Sequence, residues 1–125
     1  MKIVPPKKGG AVILEGFGAA LSAISQEILY RGLVFFSFQH LGVAFATAIS
    51  ACLFVAEHLA NRWATREFDT SEYLKQIGLS VICCLLCALT GGAAAAVLMH
   101  LGYNIVPVAR NLVHKRHFER ATGNA

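Results

Sequence analysis

Gln26, Glu27 and Arg31, then His58, then His100 and Asn104 set groups capable of acid, base or carbonyl chemistry into runs that are otherwise apolar. Placing Asp, Glu, Lys or Arg near a bilayer centre costs about 2.5–3.5 kcal/mol per residue, so such residues face a bundle interior or a water-filled cavity. Glu27 and Arg31 stand one helical turn apart and can pair on one face, which admits an internal salt bridge as well as a functional role. His100 and Asn104 also share a face, and an imidazole beside an amide offers proton transfer together with hydrogen-bond donation to a developing oxyanion. Singly, each group has a plainer explanation: His100 and Asn104 as polar glue between helices, His58 as an interfacial histidine. Together they place His, Asn or carboxylate on three separate helices of a short chain, the pattern of an assembled site. Two other chemistries fit the same groups. Glu27, His58 and His100 make a His₂Glu set suited to zinc, although no HExxH helix carries them and Asn104 is a poor zinc ligand. A transporter or partner-binding membrane protein would use such groups as a proton relay or docking site. The Asn beside His on one face suits oxyanion donation better than relay.

The elements that must position these groups are membrane helices. The 125 residues are 56% hydrophobic and only 14% charged, with a mean hydropathy of +0.57, unlike an ordinary soluble domain. The net charge of +4 sits at the chain ends and in one charged stretch rather than along a helical face, so nucleic acid is not an expected partner. Cys52, Cys83, Cys84 and Cys87 all fall inside apolar runs, where a thiol behaves as a small hydrophobe. Met1–Gly10 carries no cleavable signal pattern.

The expected organisation is an all-α polytopic bundle of about four transmembrane helices. A basic arm occupies residues 1–10, a membrane-embedded core 11–114 and a basic tail 115–125. The first span begins at Ala11 and stays apolar to about His40, too long for one straight crossing of a core about 30 Å thick, so tilt or a change of direction near Gly32 is expected. The second runs from Val43 to about Leu59 and is rich in small residues. Asn61–Lys75 is a charged loop with Trp63 as an interfacial aromatic, followed by spans at Leu74–Leu89 and from Ala93 to about Val113, joined by a turn at Thr90-Gly91-Gly92. Lys and Arg occur in the arm, the Asn61–Lys75 loop and the tail, but not in the turns at Leu41 and Gly91. That places both termini on the cytoplasmic side, most simply of the plasma membrane. Depth counting brings Gln26 and His100 level near mid-membrane. His58 joins them only if Leu33–Gly42 is no simple continuation of the first span and the second helix runs past Asn61 toward Thr65.

The ordered motifs Gln26-Glu27-x-x-x-Arg31-Gly32, Phe54-x-x-x-His58 and His100-x-x-x-Asn104 resemble the CPBP intramembrane proteases, the CAAX protease and bacteriocin-processing family. That family's pattern is Glu-Glu-x-x-x-Arg, Phe-x-x-x-His and His-x-x-x-Asn on successive membrane helices. The resemblance covers about residues 15–112. It implies hydrolysis of membrane-associated or CAAX-type peptides by an activated water, with no covalent intermediate and no cofactor. By position, Gln26 and His58 take the water-activating places and His100 and Asn104 the carbonyl-polarising ones, with Glu27 and Arg31 as the supporting pair. Gln26 is the departure: the family has glutamate there, and a neutral amide cannot accept a proton from water. General-base catalysis contributes about 10²–10⁴-fold, so the alternative is a catalytically silent member acting as a membrane partner-binding or immunity-type protein. Glu57, next to His58, is a substitute carboxylate to weigh; Glu27 points roughly 100° away from Gln26 around the helix.

Overall fold

The computed structural model describes residues 9–65 and 70–122. Helix α1, Gly9–Glu27, passes into a π-helical segment, Ile28–Phe35, then the short α2, Phe36–Phe38, and a 3₁₀ turn, Gln39–Leu41. These form one helical rod because nothing in the stretch breaks it until Gly42. There φ is 113°, a conformation that glycine adopts without the steric cost of a Cβ. Helix α3, Val43–Thr65, starts at once, and α4, Thr70–Thr90, and α5, Ala94–Thr122, complete the fold. Gly91, with φ of 69°, ends α4 and sends its N–H to the Cys87 carbonyl at 2.9 Å. There is no strand among the described residues.

The side-chain contacts fix the directions. His100 meets Glu27, Asn104 meets Ala19, and Val108 lies against Gly16, so α5 runs antiparallel to α1. Glu57 meets Gln26 while Ser50 meets Tyr30, so α3 runs back along the first rod. The Cys83 thiol lies 3.7 Å from the Ala96 carbonyl, making α4 and α5 a hairpin about Gly91. The core gathers Phe35, Ala46, Leu79, Cys83, Cys84, Cys87 and Ala96. Small residues and thiols dominate it and allow the helices to approach closely. Outward, large apolar side chains such as Ile13, Leu14, Leu89 and Leu98 are more than two-thirds exposed, a surface that suits lipid rather than water.

By length and composition three helices can cross a membrane, Gly10–Leu41, Val43–Asn61 and Thr70–Thr90. The protein is thus an all-α membrane bundle, as expected. The fourth long helix, α5, falls outside that set because His100, Tyr103, Asn104, Pro107 and Arg110 interrupt its apolar run. The helix continues through Gly32, which lies inside the π segment, and Leu33–Leu41 stays helical while changing winding twice. One boundary needs correction. The expected loop at Asn61–Lys75 is helical to Thr65 and again from Thr70, because charged residues end a membrane run without ending a helix. The Met1–Lys8 part of the basic arm, residues 66–69, and the side chains of Trp63, Lys115, Arg116 and Arg120 lie outside what is described.

Candidate active site

The rod and α3 fold back on each other at Gly42, and Gln26 and Glu57 lie at nearly equal sequence distances on either side of it. Level placement of the first two motifs follows from the hairpin. On the rod, neighbouring residues point about 100° apart while residues four apart share a face. Gln26 and Tyr30 therefore look toward α3, and Glu27 and Arg31 toward α4 and α5.

The Glu27 face is closed. Glu27 and Arg31 are both fully buried, with Arg31 Nε 3.2 Å from Glu27 Oε2. The contact is a Coulombic pair rather than an aligned hydrogen bond, since Nε, Nη1 and Oε2 each lack a hydrogen-bond partner. Arg31 Nη2 donates to Ser80 Oγ at 2.8 Å, and the guanidinium carbon lies 4.7 Å from the centre of the Phe54 ring, within cation–π range. His100 Nδ1 lies 2.8 Å from Glu27 Oε1. An ionised carboxylate only accepts, so the imidazole carries its proton on Nδ1 and directs Nε2 away from Glu27.

The Gln26 face is more open. Gln26 Nε2 donates to Glu57 Oε1 at 3.3 Å and the Tyr30 hydroxyl donates to Glu57 Oε2 at 2.7 Å. Ser50 Oγ donates to the Tyr30 carbonyl at 2.8 Å, an added partner for a backbone acceptor inside the π winding. Glu57 and His58 are only half-buried. His58 Nδ1 lies 2.9 Å from the Phe54 carbonyl, which can only accept, so Nδ1 holds the proton and Nε2 keeps its lone pair.

Phe54 links the two faces. Its buried ring has the His58 ring 4.4 Å away, the His100 ring 5.8 Å away and the Tyr30 ring 5.6 Å away, centre to centre. Tyr30, Arg31, His58 and His100 are thereby drawn around one phenyl group. Asn104 is set apart: its amide donates to the Ala19 carbonyl at 3.2 Å and borders a groove of about 380 Å³ between α1 and α5. Gly16, Ala19 and Val108 also line that groove, whereas Gln26, His58 and His100 do not. The groove thus takes in Asn104 without the other three motif positions, although His100 lies one turn from Asn104 on α5. Glu27 turns its oxygens to Arg31 and His100, and no cluster of three metal-ligating side chains occurs among the described residues.

Sequence reasoning missed Tyr30, Ser50 and Ser80 as partners. Tyr30 had a signal, since it lies one turn from Gln26, but Ser50 read as a small packing residue and Ser80 carried no signal.

Residues 10–106 match the family model described as Type II CAAX prenyl endopeptidase Rce1-like. The chain belongs to that family. No curated protein and no solved structure matches it at a significant level. The matched range takes in all three motifs, in accord with the resemblance drawn from them. As an Rce1-like family member with apolar helices, the chain is an integral membrane protein of the CAAX-type intramembrane protease family.

Proposed function

We propose that the protein is an intramembrane endopeptidase that hydrolyses peptide bonds of membrane-associated, CAAX-type substrates with an activated water. The observation that carries this reading is the gathering of His58 and the Glu27–His100 pair on the Phe54 ring. His58, with Nδ1 tied to the Phe54 carbonyl, offers Nε2 as a hydrogen-bond acceptor that orients the attacking water. His100 and Asn104 polarise the substrate carbonyl. For His100 to donate through Nε2 it must hold both protons, a charge that Glu27 balances from the other side of the ring. Asn104 has a second amide hydrogen besides the one given to Ala19. Arg31, on the other oxygen of Glu27, holds that carboxylate in place and serves the site through it. The apolar groove that Asn104 helps to line provides room for the greasy part of a substrate. No cofactor enters this scheme, and the partners are a peptide or protein substrate and the bilayer. We further infer a plasma-membrane location with both termini cytoplasmic, supported by the charge distribution and the antiparallel helix order.

Purified protein in proteoliposomes, given a prenylated CAAX peptide, is expected to yield a shortened prenylated product by mass spectrometry. Absence of cleavage by both the parent and Gln26→Glu would end the reading. A silent family member that binds a membrane partner is the second reading, favoured by the amide at position 26. It predicts an inactive parent.

A further inference from the structure

We propose that Glu57 supplies the general base that Gln26 cannot, so that the site's carboxylate has moved from the first helix to the third. The inference rests on the endopeptidase reading and names the proton acceptor within it. Glu57 is not merely near the vacant role; it is bonded to the residue that vacated it, with Oε1 3.3 Å from Gln26 Nε2. The Tyr30 hydroxyl, one turn along the same face, holds Oε2 at 2.7 Å. Two donors from the rod thus fix the carboxylate in one orientation. An ionised carboxylate has about four lone-pair positions, and these contacts use two, leaving capacity for water.

The identity of residue 26 fits this account. A glutamate there would face Glu57 at hydrogen-bond range, and two carboxylates so close disfavour joint ionisation. An amide in the same place donates to Glu57 instead. Gln26 and Glu57 therefore form a matched pair. Glu27, the other acid at this level, is unsuited to the task, being fully buried with one oxygen on His100 and the other beside Arg31. Glu57 is half-buried and precedes His58 in the chain, so unlike Glu27 it is not sealed on every side.

In the step proposed, Glu57 takes a proton from water as the oxygen bonds to the peptide carbonyl carbon. The carbon–nitrogen bond then breaks, and the proton held on Glu57 passes to the departing amine. The products are a carboxylic acid and an amine, with no change in oxidation state.

The test compares four proteins in proteoliposomes, the parent, Glu57→Gln, Gln26→Glu and the exchange Gln26→Glu/Glu57→Gln, by initial rate on a prenylated CAAX peptide. Glu57→Gln is expected to lose about 10²–10⁴-fold, the usual value of a general base. The exchange, which restores one carboxylate facing one amide, is expected to recover most of that loss. Gln26→Glu alone should bring no gain over the parent. A Glu57→Gln rate within a few-fold of the parent overturns the proposal, as does an exchange variant no better than Glu57→Gln. Should Glu57→Gln fail to fold, the exchange variant still decides, because it keeps the contact between α1 and α3. An inactive parent revived by Gln26→Glu overturns the role of Glu57 yet leaves the endopeptidase scaffold intact. Failure of all four to cleave removes the endopeptidase reading itself, and the base with it.

Discussion

The Glu27–Arg31 and Gln26–Tyr30 faces of the first rod have the same spacing and nearly the same depth but differ in what surrounds them. Glu27 and Arg31 are sealed among α4 and α5, with Ser80 and His100 as neighbours. Gln26 and Tyr30 meet a half-buried carboxylate on α3. Charge buried without water must be matched by charge, so the sealed face holds an ion pair and contributes position. The open face retains a carboxylate with lone pairs to spare and can take part in proton transfer. Depth in the membrane does not separate structural from reactive groups here; commitment to partners does.

The difference predicts opposite responses to substitution. Arg31→Met should be the most damaging, since it strands Glu27 at full burial; breaking a buried pair costs about 3–5 kcal/mol. Loss of monodisperse protein on size exclusion is the expected readout, and normal purification would show the pair to be exchangeable for apolar packing. His58→Gln, on the open face, should leave the thermal midpoint near the parent's and lower the cleavage rate about 10²–10⁴-fold. Equal losses of stability and rate would mean that His58 is held as firmly as Glu27. Ser80→Ala should cost about 1–3 kcal/mol, because it leaves a third guanidinium nitrogen of Arg31 without a partner. Denaturant titration measures that directly. The smallest effect belongs to Ser50→Ala, about 0.5–1.5 kcal/mol for one hydrogen bond to the Tyr30 carbonyl.

Much of this was legible in the sequence. The i, i+4 spacing of Glu27 and Arg31 in an apolar run called for a buried pair, and the pair is there. The roughly 100° offset between Gln26 and Glu27 anticipated their separate partners. Extension of the second helix to Thr65 followed from asking how His58 reaches the level of Gln26. What stayed hidden depends on tertiary contacts. Ser80 differs from the small residues around it only by the guanidinium it meets, and Asn104 bonds a backbone carbonyl, which no residue type announces. The onset of α4 at Thr70 was obscured because hydropathy marks where a helix leaves the membrane, not where it ends. The winding change at Ile28 has only Gly32 as a local signal, a poor helix former within its segment.

That winding change bears on which insertions and deletions the chain can absorb. Hydrogen bonds from i to i+5 take up one residue more than the α pattern, so a π segment is an insertion the helix has already accommodated. Losing one residue between Gly32 and Phe35 would let Ile28–Phe35 rewind as α-helix while Phe36 and the turn at Gly42 keep their register with α3. Losing one residue within Gly9–Glu27 has no such outlet. It would turn everything before the cut by about 100°, carrying Ala19 from Asn104 or Gly16 from Val108. Length variation in the first rod is therefore expected to collect in the turns just after the motif and to be absent before it.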